Sequence, residues 1–228
     1  MLNYACPAEL LLPYLPLGVE LDSWEGEFLM SVVGFMFLDT KVLGVAIPGH
    51  RDFEEVNLRF YVRSWAADGE MRRGVVFIRE LVPKRLIAWT ARTLYEEPYL
   101  AVPMGHSIDL SPEIGGKVEY SWSFGANAYS LSGEASGPAA SLTEGSEEEF
   151  ITEHYWGYTK RSKSFTSEYH VAHPRWKVWR CHSSSLAGDM CALYGDGFAK
   201  VIERGPKSAL LAIGSESAVY PGRRLSAP

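Results

Sequence analysis

The stretch FEEVNLRFYVRSW, Phe53–Trp65, alternates apolar and polar side chains over most of its length. Alternation with a period of two is typical of a β-strand whose two faces meet different surroundings. An Asp68-Gly69 turn signal follows, and a second alternating segment runs over residues 71–81. Because an Asp-Gly pair between two such segments is a strong hairpin signal, the sequence predicts a long antiparallel hairpin here.

The hairpin's first strand presents one apolar and one polar face. The polar face carries Glu55, Asn57, Arg59, Tyr61 and Arg63. It has two interpretations: a solvated outer face with weak cross-strand ion pairs, or the lumen of a barrel that faces a polar ligand. Periodicity alone favours the solvated face.

The segments around this hairpin predict a mainly β (α+β) protein. Strand-like runs cover residues 28–40, 99–104, 117–124, 127–133 and 209–220, and residues 165–172 and 176–181 read as a second hairpin. Short helices are predicted at residues 7–12 and 83–95. A third is predicted to begin at Ser146 as N-cap, with acidic residues in its first turn, and to end at Gly157. This order favours a curved antiparallel sheet that closes into a cone or barrel. With no repeat or linker, a single domain over residues 1–220 and a tail at 221–228 are predicted.

Composition excludes several classes of protein. Of 228 residues, 22 are Lys or Arg and 28 are Asp or Glu, so the net charge is −6, whereas a nucleic-acid binder usually has a basic surplus. No apolar run reaches the length of a membrane-spanning helix, and the first residues lack the pattern of a signal peptide. The sequence therefore predicts a cytoplasmic protein that binds neither nucleic acid nor membrane. The aromatic content of 13% predicts a large aromatic core or an aromatic-walled pocket.

Neither a metal site nor a cofactor site is predicted. The three cysteines have no CxxC spacing. His170 and His173 would point to opposite sides of a strand, and no third ligand follows at a diagnostic spacing. The pattern Gly195-Asp196-Gly197 lacks the spacing of a dinucleotide-binding loop.

Lys160 is the strongest candidate for covalent chemistry. It is followed by Arg161, with Lys163 close by. Most lysines in such surroundings are simply solvated. The alternative is that this crowding disfavours the charged form of Lys160, so that a neutral amine could attack a carbonyl and form a Schiff base.

Several segments together resemble one family of bacterial proteins, the YqjF-like family. The resemblance rests on residues 32–40, the run FEEVNLRFYV at 53–62, GVVFI at 74–78 and residues 150–158. It extends through residues 89–95 and 99–104 and covers nearly the whole chain. Members of this family usually begin slightly upstream of Met1, which would place a further strand or helix before it.

The resemblance implies an acetoacetate decarboxylase-like fold, in which a curved antiparallel sheet surrounds a buried pocket. Phe53-Glu54-Glu55 is similar to the segment that carries the glutamate of the decarboxylase active site, which implies that role for Glu55. The run GYTKR at 157–161 is similar to the decarboxylase motif Gly-Tyr-Pro-Lys-Lys. This similarity implies that Lys160 is the Schiff-base lysine and Arg161 its electrostatic activator. Here Thr159 replaces the proline and arginine replaces the second lysine.

Three functional hypotheses remain open from the sequence. The first is a Schiff-base enzyme of the decarboxylase, aldolase or dehydratase type that acts on a small oxo-acid. Lys160 and Glu55 would then be catalytic, and Arg59, Tyr158 and Arg161 would bind the substrate. The second is a non-catalytic protein that binds or senses a small molecule. The third is a sheet that serves a partner protein or a homo-oligomer.

Overall fold

A computed structural model describes residues 1–42, 45–46, 52–66, 69–84, 98–161 and 165–225, with only the backbone of residues 41, 42, 45 and 46. The predicted helix at 83–95 lies almost wholly outside these residues. Among the helices that the structure describes, none is long and apolar enough to cross a membrane.

The structure is mainly β, as the sequence predicts. Its strands are β1 (Leu2–Ala5), β2 (Glu20–Leu21), β3 (Ser23–Trp24), β4 (Glu27–Phe37), β5 (Lys41–Val42), β6 (Val45–Ala46), β7 (Phe53–Trp65), β8 (Met71–Val82), β9 (Tyr99–Ala101), β10 (Met104–Ser111), β11 (Gly115–Phe124), β12 (Asn127–Ser136), β13 (Trp156–Lys160), β14 (Thr166–Ala172), β15 (Val178–Arg180), β16 (Ser183–Ala187), β17 (Ser208–Ala212), β18 (Ala218–Val219) and β19 (Arg223–Arg224).

The helices of the described residues are short. They are α1 (Ala8–Leu11), a 3-10 turn (Leu12–Tyr14), α2 (Glu147–Thr152), α3 (Met190–Tyr194) and α4 (Asp196–Ile202). The start of α2 is set by the Ser146 hydroxyl, which accepts a hydrogen bond from the backbone N–H of Glu149. Three glutamates in its first turn suit the positive end of the helix dipole. The sequence missed α3 and α4.

The predicted hairpin is the centre of the main sheet. Strands β7 and β8 pair antiparallel, with Val62 opposite Gly74, and a bulge shifts the register between Leu58 and Arg59. The sheet runs β15-β17-β1-β4-β7-β8-β13-β14-β18. It is antiparallel apart from the β8–β13 pair on this path and the side branch β8–β9. A second sheet, β10-β11-β12-β16, packs against it, and β5 and β6 form a separate pair.

The main core lies between the two large sheets. The apolar face of β7 enters it through Val56, Leu58, Phe60 and Val62. The opposite wall is formed by β11, where Val118, Tyr120 and Trp122 are buried. Gly34 on β4 allows the close approach, because an added Cβ would lie 2.6 Å from the ring of Tyr120.

The predicted closure into a cone or barrel is not seen among the described residues. The main sheet is an open path that ends at β15 on one side and β18 on the other, and the second sheet ends at β10 and β16. The two sheets face each other across the core instead. Because the core is closed by a second layer, the fold needs no pairing between the end strands.

Two predicted strand arrangements differ from the structure. The segments at 165–172 and 176–181 do not pair with each other: β14 pairs with β13, whereas β15 pairs with β17. The predicted tail at 221–228 begins within the sheet, because Arg223–Arg224 pairs with β14. Sequence patterns indicate that a strand exists but not which strand it pairs with, so neither pairing could be predicted.

Candidate functional site

The polar face of β7 is buried rather than solvated. Glu55 is 2% exposed and Asn57 1%. Helix α2 packs on this side of the sheet, where Phe150 and Ile151 form a small apolar cluster with Tyr61. The solvated interpretation, which periodicity favoured, is therefore wrong for the middle of the strand.

Glu55 lies in the most unusual environment of this face. The side-chain amide of Asn57 donates a hydrogen bond to Oε1 at 2.9 Å, and the Tyr99 hydroxyl donates to Oε2 at 3.0 Å. Burial raises the pKa of Glu55 to about 7, although both hydrogen bonds and the charge of Arg59 act to lower it. A carboxyl with a pKa near neutrality can both take up and release a proton at physiological pH.

Arg59 lies on the same face of β7, four residues further on. That spacing separates the two backbones by about 13 Å along the strand. Its Nη2 donates to the backbone carbonyl of Ile151 at 3.3 Å, and its guanidinium carbon lies 5.6 Å from the centre of the Tyr61 ring. Its buried Nε has no hydrogen-bond partner among the described residues. Arg59 therefore retains one donor for an acceptor such as a carboxylate.

Glu80 on β8 is a second buried carboxyl group on this face, and the sequence missed it. It lies opposite Asn57 and is 2% exposed. Strict alternation along β8 would put Arg79, rather than Glu80, on the same face as residues 73, 75 and 77. The bulge between the strands adds one residue to β8 and reverses the alternation beyond it. No signal in the sequence marks the position of that bulge.

Lys160 does not lie beside Glu55. It is the last residue of β13 and is exposed. Alternation along β13 puts Lys160 on the side of Tyr158, whose fully buried ring belongs to the core between the two sheets. Glu55 is on the other side of the main sheet, because its neighbour Val56 faces that core.

The other two predicted substrate-binding residues also lie away from Glu55. The Tyr158 ring packs over Gly74, where an added Cβ would meet it at 2.6 Å. Burial raises the pKa of the Tyr158 hydroxyl above its ordinary value. Arg161 is half-buried just after β13, and its backbone N–H donates to the carbonyl of Phe165 at 3.3 Å. The structure thus places Tyr158 and Lys160 on one strand, with Arg161 directly after it, and separates all three from Glu55 and Arg59.

A buried polar network that the sequence did not reveal continues along the Glu55 face. The Ser31 hydroxyl donates to Oδ1 of Asn3 at 2.7 Å and lies 2.6 Å from the Tyr61 hydroxyl. Next to Tyr61, the buried His154 approaches Asp22. A single histidine after a helix carries no sequence signal for such a contact.

No metal site is evident in the part of the chain that the structure describes. Within it, no three His, Cys, Asp or Glu side chains are placed to hold an ion. His106 forms a cross-sheet contact with Glu54 at 2.7 Å, and His170 stacks against Tyr220. These histidines pair with protein groups.

Comparison with known sequences gives a match over almost the whole chain. The profile of DUF2071, described as an uncharacterized conserved protein, matches residues 1–216. The uncharacterized protein YqjF of Bacillus subtilis (strain 168) is 29% identical over 103 residues, which are 45% of this chain. The matched part spans 40% of the length of that relative.

Comparison with solved structures shows that the fold is acetoacetate decarboxylase-like. The acetoacetate decarboxylase of Legionella pneumophila has a TM-score of 0.64 at 13% identity, covering 99% of this chain and 83% of that one. The enduracididine biosynthesis enzyme MppR, in complex with pyruvate, has a TM-score of 0.67 at 13% identity, with 99% and 87% covered. An acetoacetate decarboxylase-like enzyme from Sphingomonas wittichii RW1 has a TM-score of 0.61 at 14% identity, with 100% and 90% covered.

Proposed function

This chain belongs to the DUF2071 family, and we propose that it binds a small oxo-acid and moves a proton on it, with Glu55 as the proton-transfer group. The observation that carries the proposal is the buried Glu55 carboxyl, whose pKa is raised to about 7 by burial. The fold supports the substrate class, since acetoacetate decarboxylase and the pyruvate complex of MppR share it.

The proposed step is reversible and balanced. In its ionised form Glu55 takes a proton from the carbon next to the oxo group, which leaves an enolate on the substrate. The protonated carboxyl then returns a proton to the same carbon. Asn57 and Tyr99 hold the two oxygens of Glu55 and so fix its direction. Arg59 would bind the substrate carboxylate through the donor that lacks a partner in the described structure.

Proton exchange between substrate and solvent tests this step. Pyruvate in D₂O should lose its methyl proton signal when the protein is present, as followed by ¹H NMR. Glu55→Gln keeps the shape and the amide contacts but removes the base, so the rate should fall at least 100-fold. Glu54→Gln is the matched control, since its carboxylate points to His106 on the other side.

The result is decisive in both directions. If Glu55→Gln exchanges as fast as the wild type, Glu55 is not the base. If the wild type exchanges neither pyruvate nor acetoacetate, the proposed chemistry fails. Saturable pyruvate binding without any exchange would then support the alternative of a non-catalytic small-molecule binding or sensing protein.

The covalent form of the proposal assigns Schiff-base chemistry to Lys160. Its amine would add to the oxo carbon, and loss of water would give an imine, with Arg161 as the neighbouring charge. The support is the GYTKR motif, which runs along β13 and ends one residue after it, and the exposure of Lys160, which allows a carbonyl compound to reach it. Glu55 would not assist Lys160, because the two residues lie on opposite sides of the main sheet. Proton transfer by Glu55 and imine formation at Lys160 can therefore be tested separately.

Borohydride trapping with pyruvate and acetoacetate tests the covalent form. A mass increase on the peptide that contains Lys160, absent in Lys160→Gln, would support it. An adduct of equal yield in Glu55→Gln would show that Lys160 reacts independently of Glu55. The absence of any adduct would rule out the covalent form and leave the proton-transfer proposal to the exchange experiment.

A further inference from the structure

A small cleft lies on the far side of β13 and β14 from Glu55. Its volume is about 190 Å³, and it is lined by Trp156, Glu168, His170, Tyr220 and Arg223, among others. Strands β18 and β19 both pair with β14. Tyr220, directly after β18, and Arg223, on β19, are thereby brought to the cleft. The cleft is separate from the site proposed above.

Aromatic rings form the walls of this cleft. The centres of the Trp156 and His170 rings are 4.9 Å apart, and the rings of His170 and Tyr220 are stacked with centres 5.5 Å apart. Tyr220 is 52% exposed, so much of its ring is open to solvent. Such walls favour a flat ligand that can stack on them.

Glu168 supplies the polar group of the cleft. Its side chain is only 4% exposed, and its Oε1 accepts hydrogen bonds from Arg72 at 3.3 Å and from Nε of Arg223 at 2.8 Å. Its Oε2 is buried and has no hydrogen-bond partner among the described residues. A buried carboxylate oxygen without a donor is costly, so a ligand N–H or O–H at this position would be favourable.

The charges around Glu168 narrow the class of ligand. The two guanidinium groups of Arg72 and Arg223 outweigh the single carboxylate of Glu168, so the cleft does not attract a cation. A simple carboxylate is also disfavoured, because it would meet the unpartnered oxygen of Glu168. Arg223 is 61% exposed and bonds Glu168 through Nε, which leaves its outer N–H groups for an acceptor.

We propose that this cleft binds a flat heterocycle that carries an N–H next to a carbonyl, the arrangement found on nucleobases. The N–H donates to Oε2 of Glu168, the carbonyl accepts from Arg223, and the ring stacks beside Tyr220. A single ring of this type fits within about 190 Å³.

Uracil and 1,3-dimethyluracil separate this proposal from simple stacking. Both are flat and carry the same carbonyls, but the second has no N–H. Uracil should shift the indole N–H resonance of Trp156, assigned with Trp156→Phe, at a concentration at least tenfold lower than 1,3-dimethyluracil. Equal half-saturation for the two compounds, or no shift with uracil, would overturn the proposal.

Two variants locate the binding within the cleft. Glu168→Gln replaces the acceptor and should remove the preference for uracil, but it also disturbs two ion pairs. Tyr220→Ala removes an exposed wall without touching those pairs and should raise the half-saturation for uracil at least fivefold. Tyr14 is a partly exposed tyrosine outside the cleft, so Tyr14→Ala is the control for Tyr220→Ala. This control variant should bind uracil as the wild type does. Unchanged binding in Tyr220→Ala would contradict the assigned site.

Discussion

The imidazole Nε2 of His154 lies 3.7 Å from Oδ2 of Asp22, and both side chains are only 2% exposed. Tyr61 and Phe150 enclose the ring, with centres 4.7 and 5.1 Å away. Burial lowers the pKa of His154 to about 4, although Asp22 acts in the opposite direction. The histidine is therefore kept neutral inside the protein, beside an ionised carboxylate.

We expect this histidine to make the fold sensitive to acid. The unfolded chain takes up a proton at His154 near pH 6.5, whereas the folded chain does so only near pH 4. Stability is thus lost as the pH falls through this window, by about 3 kcal/mol in total. His154→Phe keeps an aromatic ring and removes the titration. Urea unfolding at pH 7 and pH 4.5 should show a smaller loss for this variant, and an identical loss would contradict the prediction.

Glu55 should have the opposite effect over a similar range. Its folded pKa of about 7 lies above the ordinary 4.5, so the folded protein holds a proton that the unfolded chain has released. Stability therefore falls as the pH rises from 4.5 to 7, again by about 3 kcal/mol. Glu55→Gln should remove this fall. In urea unfolding, the free energy of unfolding of the variant minus that of the wild type should therefore rise between pH 4.5 and pH 7. Glu54→Gln provides the control, and a parallel pH dependence in all three proteins would refute the prediction.

Gly34→Ala should loosen the contact between the two sheets. The new methyl group would lie 2.6 Å from the ring of Tyr120 and 3.0 Å from the side chain of Leu131, both buried in the core. Overpacking of this kind costs about 1–3 kcal/mol. The matched control is Gly214→Ala, which meets nothing within 4 Å. Thermal unfolding should separate the two variants, and equal midpoints would disprove close packing at Gly34.

Ser146→Ala should weaken the start of α2. It removes the acceptor for the N–H of Glu149, which lies 3.2 Å from the Ser146 hydroxyl, and such a loss costs about 1 kcal/mol. The exposed Ser123 on β11 caps no helix, so Ser123→Ala should be nearly neutral. Urea unfolding of the two variants compares them directly. A loss in Ser123→Ala as large as in Ser146→Ala would show that the cap is not the cause.

The sequence predicts local structure well where the period of side chains is strong. The hairpin of β7 and β8, the strand at β11 and the capped start of α2 are confirmed. In each case the determining interactions join residues that are close along the chain. Alternation and capping are then sufficient to define the element.

What lies on top of a sheet face could not be predicted in the same way. The polar face of β7 is covered by α2, which lies about ninety residues later in the sequence. Glu80 reached that face only through a bulge, which alternation does not reveal. The separation of Lys160 from Glu55 likewise follows from the pairing of β13 with β8, a contact between distant segments.

The position of β1 has a consequence for the order in which the protein can fold. This strand lies between β4 and β17, so Leu2 pairs with Val32 on one side and with Ala209 on the other. The β7–β8 hairpin needs only neighbouring residues and can form early. The β1–β17 contact must close a loop of more than two hundred residues, which is slow and entropically costly. During synthesis on the ribosome, the main sheet therefore stays incomplete, with one side of β1 open to other chains, until residue 212 has emerged.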